Sequence, residues 1–157
     1  MIPVIASNKR RESVIRYAPL LIWTGVIFFL SSGEGSMTHT SYFVEPVLRF
    51  LFPDISGSTL EIYHGYVRKM AHLTEYAVLG LLASRAFFGS SRSLLRRSWF
   101  VFAVGLVLLI AAADEFNQSF EPSRTSSPRD VLIDLLGGIA GAMFYSIWVR
   151  RRNRLKN

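Results

Sequence analysis

Four apolar stretches, each close to the length of a membrane span, constrain this chain more than any other feature. They run over about residues 14–32, 70–88, 98–113 and 131–149. Crossing about 30 Å of hydrocarbon takes about 20 helical residues. The third stretch is short by that measure and reaches span length only if Asp114, Glu115 and their neighbours lie in the headgroup region. Half of the 157 residues are hydrophobic, the mean hydropathy is +0.30, and there are 12 Phe and 3 Trp, too apolar a balance for an ordinary soluble domain of this size. The expected fold class is therefore all-α: one domain, an integral membrane four-helix bundle. The first stretch follows Lys9, Arg10 and Arg11 as a signal peptide would. It lacks an A-x-A cleavage site and has no long soluble domain after it to export, so it is expected to stay as a span.

Charge sets the expected orientation. Four spans put both termini on one side, and that side holds 13 of the 18 Lys and Arg residues, clustered at 9–16, 85–97 and 150–156. The other side holds Arg49, Arg68, Lys69, Arg124 and Arg129. The excess of Lys and Arg in cytoplasmic loops places both termini in the cytoplasm of a plasma or inner membrane protein. Acidic residues are distributed the opposite way: of 11, only Glu12 is on the cytoplasmic side. The net charge of +7 does not point to nucleic acid, because the basic residues flank apolar runs and form no surface interleaved with aromatics. With no cysteine, disulfides, zinc–thiolate sites and cysteine nucleophiles are excluded.

The outer segments carry their own patterns. Phe43, Val44, Val47, Leu48, Leu51 and Phe52 repeat at helical spacing up to Pro53, which predicts a short amphipathic helix lying in the membrane interface or capping the bundle. Ser58-Thr-Leu-Glu61 matches a capping box. It predicts one long helix from about residue 59 to 88, starting outside the membrane. On it Glu61, His64, Arg68, His72, Glu75 and Leu79 share one face, a polar stripe that descends and gives way to leucine. The second outer loop, 116–129, is rich in Pro and Ser and reads as a turn-forming connection.

Three segments deliver polar groups to one depth. The second span brings Lys69, His72 and Glu75; the third ends in Asp114, Glu115 and Gln118; the loop and fourth span bring Arg124, Asp130 and Asp134. Ionisable groups inside a span are costly and mark functional sites by default. Each also has a plain structural role open to it. His72 and Glu75 fit an i, i+3 hydrogen-bonded pair, Asp114 and Glu115 fit solvated interfacial charge, Arg124 and Arg129 fit partners for these carboxylates, and Asp130 fits the N-cap of the fourth helix. Asp134 is too deep for capping. Gly137-x-x-x-Gly141, on the face of Asp130 and Asp134, is foremost a helix-packing motif. That packing turns the aspartate face inward. The expectation is that His72, Glu115, Arg124 and Asp130 converge near the outer end of the bundle, with Glu75 and Asp134 deeper.

Taken together, Lys69-x-x-His72-x-x-Glu-Tyr76-x-x-Leu79, then Asp114-Glu115-x-x-Gln118, then Arg124, then Asp130-x-x-x-Asp134-x-x-Gly137-x-x-x-Gly141 resembles the VanZ-like family over about residues 14–149. The resemblance implies a small multi-helix bacterial membrane protein of the cell envelope. The family's namesake is associated with resistance to the glycopeptide antibiotic teicoplanin, so the resemblance supplies a context and no reaction. Where the family usually carries Asn, this chain has Asp134, which donates a hydrogen bond only when protonated.

Three functions follow from these residues and stay open on sequence alone. A binding protein would hold a lipid head group or another envelope ligand in an outward-facing pocket formed by Lys69, Asp114, Gln118, Arg124 and Asp134. An enzyme on a lipid-linked envelope substrate would use His72 as general acid or base beside Glu75, Glu115 or Asp130, with Arg124 and Lys69 holding phosphate or carboxylate. Its metal variant would use His72, Glu75, Glu115 and Asp130 as ligands. An accessory subunit of a membrane complex would use the cluster only to lock its helices. No cofactor is specified. The bilayer is the one partner the composition demands.

Overall fold

A computed structural model describes residues 4–32, 37–120 and 127–155. Among the described residues every regular element is a helix: α1 (Val4–Leu30), α2 (Met37–Leu51), α3 (Gly57–Phe88), α4 (Ser93–Arg97), α5 (Trp99–Gln118) and α6 (Pro128–Arg154). Three contain segments long and apolar enough to cross a membrane: Arg10–Leu30, Trp99–Gln118 and Arg129–Arg154. The corresponding part of α3 is diluted by His72, Glu75 and Arg85.

α3 is the central element and packs against each of the other helices. It is continuous through Tyr63–Lys69, with Gly65 inside the helix. Its cap differs from the sequence expectation. Ser56, extended at φ −69° and ψ 153°, accepts from the Thr59 amide at 3.3 Å, so the helix starts at Gly57. Ser58 is already in the first turn, its hydroxyl 3.0 Å from that of Ser56. A similar displacement occurs at α6. Ser127 is the N-cap, accepting from the Arg129 amide at 3.3 Å, and Pro128 fills the first helical position, where its missing N–H has no bond to lose. Asp130 therefore lies inside the first turn, near the positive end of the helix dipole, and is not the cap.

α3 and α6 run side by side in the same direction, and glycine sets how closely they approach. A Cβ added at Gly137 would collide with the Leu73 carbonyl, one at Gly141 with the Ala77 carbonyl, and one at Gly80 with Gly138. These small residues bring the two backbones into contact, so dispersion forces act over the whole seam. α5 runs antiparallel to both. Val107 packs on Gly138, and Tyr76 of α3 meets Asp114 of α5. α1 is also antiparallel to α3. The Trp23 indole N–H donates to the Glu75 carbonyl at 2.9 Å and the Tyr17 hydroxyl donates to Ser90 Oγ at 3.0 Å. The core between these helices is made of Ile27, Tyr76, Leu79, Ala83, Ala86, Ala103, Val107 and Ala111.

The packing sorts the two ends of the structure by chemistry. At one end meet the end of α3, α4, the start of α5 and the end of α6, carrying Arg85, Arg96, Arg97 and Arg150–Arg152. There Phe88, Trp99 and Tyr145 stack edge to face with centroids 5.9–6.0 Å apart, and Arg152 lies over the Trp148 ring at 5.5 Å. At the other end meet Ser31, the first half of α3, Gln118 and the start of α6. α2 ends at Leu51, just before Pro53, and leaves Val47, Phe50 and Leu51 exposed.

Candidate functional site

Each of three helices contributes a pair of polar residues one turn apart, and i, i+4 positions share a helix face. On α3 the pair is His72 and Tyr76, on α5 Asp114 and Gln118, on α6 Asp130 and Asp134. Four of these side chains are nearly sealed from solvent: Asp114, Gln118 and Asp134 at 1% exposure and Tyr76 at 0%. His72 is exposed by 8%.

Their hydrogen bonds join the helices. His72 Nδ1 lies 3.2 Å from Asp134 Oδ1. Asp114 Oδ2 accepts from the Tyr76 hydroxyl at 3.3 Å and from Gln118 Nε2 at 2.9 Å. The same Gln118 amide reaches Ser31 Oγ at 3.4 Å, and its Oε1 accepts from Arg68 Nη2 at 3.1 Å. Three helices and Ser31, the residue that follows α1, are thus tied at one level by side chains that would each be costly to bury alone. Both donors to Asp114 use Oδ2, and Oδ1 is buried without a hydrogen-bond partner. One ligand-type atom from each of His72, Asp114 and Asp134 lies within 4.8 Å of the other two.

Beside this sealed group opens a cavity of about 560 Å³ between α3 and the start of α6. Gly65, Arg68, Lys69 and His72 line one wall, and Ser127, Arg129, Asp130, Leu132 and Ile133 the other. His72 belongs to both the cavity wall and the sealed group. The cavity wall carries three permanent cations against one carboxylate, Asp130, and lies at the N-terminus of α6, the positive end of the helix dipole.

A family profile described as VanZ/LLP1 matches residues 17–149. The chain belongs to the VanZ/LLP1 family. It is a VanZ-like membrane protein, consistent with its three apolar membrane-capable helices. No curated protein and no solved structure matches it at a significant level.

The VanZ/LLP1 residues singled out from sequence divide into groups. His72, Asp114, Gln118 and Asp134 form the sealed network. Lys69 and Asp130 line the cavity together with His72. Glu115 is half-buried and accepts from the Ser127 amide, so it braces the start of α6. Glu75 is half-buried one residue before Tyr76, and its backbone carbonyl receives Trp23. Arg124 lies outside the described residues. Arg129, read from sequence as a partner for the carboxylates, lines the cavity beside Asp130. Sequence reasoning did not assign roles to Arg68, Tyr76, Ser127 or Ser31. Arg68 was visible as a member of the α3 stripe, and Tyr76 as the residue one turn beyond His72. Nothing in the sequence marked Ser31.

Proposed function

We propose that this protein crosses the bacterial plasma membrane as a four-helix bundle, with both termini in the cytoplasm, and binds the anionic head group of an envelope lipid or lipid-linked ligand on its outer side. In this reading α1, the second half of α3, α5 and α6 are the spans. The Arg-rich end with its aromatic ring cluster is cytoplasmic. α2, with Val47, Phe50 and Leu51 exposed, lies in the outer interface. Membership of the VanZ/LLP1 family supports a setting in the cell envelope, with glycopeptide resistance as one proposed context.

The observation that carries this reading is the cavity wall. Arg68, Lys69 and Arg129 converge on the N-terminus of α6, opposed by Asp130 alone. Such a wall suits a phosphate or carboxylate, and at membrane depth it suits one attached to an acyl or prenyl chain. The test is binding of phosphatidic acid and of phosphatidylcholine to the purified protein in nanodiscs. Preference for phosphatidic acid that is lost in Lys69→Gln and Arg129→Gln supports the reading. Equal binding of both lipids, or no change in the variants, rejects it.

A second reading, an enzyme on the same class of ligand, is favoured by one observation. His72 lines the cavity while one ring nitrogen is held by Asp134. A carboxylate that fixes the ring and its tautomer is what a general acid or base requires. Turnover of lipid-phosphate substrates that disappears in His72→Gln, with head-group binding retained, distinguishes enzyme from binder. Loss of folding in the same variant instead marks a purely structural cluster.

A further inference from the structure

We propose that His72, Asp114 and Asp134 form a binding site for one divalent transition-metal ion, buried between α3, α5 and α6. The site lies one layer below the cation-lined cavity. It goes beyond the head-group reading and stands without it.

Three features carry the proposal. The first is reach. Three donor atoms within 4.8 Å of one another all lie within about 2.8 Å of a common point, against about 2.0–2.2 Å for zinc bonds to histidine nitrogen and carboxylate oxygen. Rotamer adjustments of well under 1 Å close that gap.

The second is the state of Asp114. Its carboxylate is 1% exposed, and two donors, Tyr76 and Gln118, hold Oδ2. Oδ1 has no hydrogen-bond partner. Outer-shell donors on one oxygen that leave the other unclaimed are the arrangement by which metal-binding carboxylates are oriented. A buried acceptor left unpaired is otherwise a defect that native structures avoid.

The third is charge. Two carboxylates from different helices, Asp114 and Asp134, meet in one buried layer, and Arg68 bonds Gln118 instead of either of them. A divalent ion compensates both acids at once. One imidazole with two carboxylates is a borderline-to-hard donor set, suited to zinc or manganese and not to copper(I). An ion bound at Nδ1 takes the place of the hydrogen between His72 Nδ1 and Asp134 Oδ1, which shifts to Nε2 in a neutral imidazole and leaves to solvent in a protonated pair. His72 also lines the cavity, so a further coordination position opens on the cavity side.

The test uses the full chain purified in detergent and stripped with a chelator. Co²⁺ is titrated as the spectroscopic probe, and bound Zn²⁺ and Mn²⁺ are counted by mass spectrometry. The expected result is one equivalent of metal and visible d–d absorption bands with Co²⁺. Asp114→Asn and Asp134→Asn each weaken binding by tenfold or more, and Gln118→Ala, which only positions Asp114, by about tenfold. Glu61→Gln, exposed and remote, leaves it unchanged. Helical circular dichroism and a single elution peak establish that each variant is folded. If none of the site variants folds, the wild-type cobalt spectrum and stoichiometry decide alone. Substoichiometric binding of all three metals, or equal affinity in folded Asp114→Asn, overturns the proposal. Metal binding that persists in Lys69→Gln and Arg129→Gln separates this site from the head-group site.

Discussion

His72 of α3 and Asp134 of α6, 62 residues apart in sequence, meet at 3.2 Å beside the glycine seam that joins their helices. Asp134 is sealed and His72 meets solvent only at the cavity wall, so removing either partner leaves the other with little water to replace it. Replacing one partner should therefore cost more than replacing both.

His72→Leu and Asp134→Leu are each expected to destabilise the protein by about 1–3 kcal/mol, the cost of leaving a buried polar group unpaired. The double variant should cost clearly less than the sum. Reversible unfolding in detergent measures the cycle, and strict additivity would show that the pair does not interact.

Gly141 faces the Ala77 carbonyl and Gly105 faces open space. Gly141→Leu should destabilise by about 1–3 kcal/mol or more, because a backbone group cannot swing aside as a side chain does. Gly105→Ala should be neutral or stabilising by up to about 1 kcal/mol. Melting of the two variants side by side checks this; equal melting temperatures would show that the seam is not close-packed.

Gln118 bonds Asp114, Ser31 and Arg68 at once. Gln118→Leu should cost about 1–3 kcal/mol, since it leaves buried polar partners unpaired. Ser31→Ala, at the longest of these bonds, should cost about 0.5–1 kcal/mol. A ranking reversed in unfolding experiments would move the centre of the network from α5 to α1.

The absence of cysteine makes topology directly measurable. In intact cells Gly57→Cys should react with a membrane-impermeant maleimide, and Leu155→Cys should react only after permeabilisation. The opposite pattern would invert the proposed orientation and put the cavity in the cytoplasm.

The continuity of α3 was legible because it depends on local spacing: polar residues three and four apart from Glu61 to Glu75, with no proline between. The membrane character and the glycine packing face were legible for similar reasons. Which of two neighbouring acids turns inward was not. Adjacent helical residues point about 100° apart, so Asp114 and Glu115 serve different structures. Asp114 enters the sealed network, whereas Glu115 braces the start of α6. That choice follows from the phase of α5 against α6, fixed by Val107 on Gly138, a contact between residues 31 apart. The caps were misplaced by two or three residues for a related reason. Both Ser56 and Ser58, and both Ser127 and Asp130, are acceptable caps in sequence, and only the path of the preceding chain selects one.

α3 has 32 residues without a break, a rod about 48 Å long at 1.5 Å per residue. In the proposed four-span topology, about 30 Å of hydrocarbon accounts for less than two-thirds of it. In that topology about its first two turns, before Gly65 enters the cavity wall, extend beyond the cavity as a lever, with Glu61 near the tip and His72 about three turns below it. No proline kink separates them, so a force applied at the tip by a neighbouring molecule is carried as a rigid displacement to the cavity wall. Only Gly65, with open space around its Cβ position, offers a point of compliance along the way. Stiffening that position with alanine would make the lever report on its surroundings more faithfully.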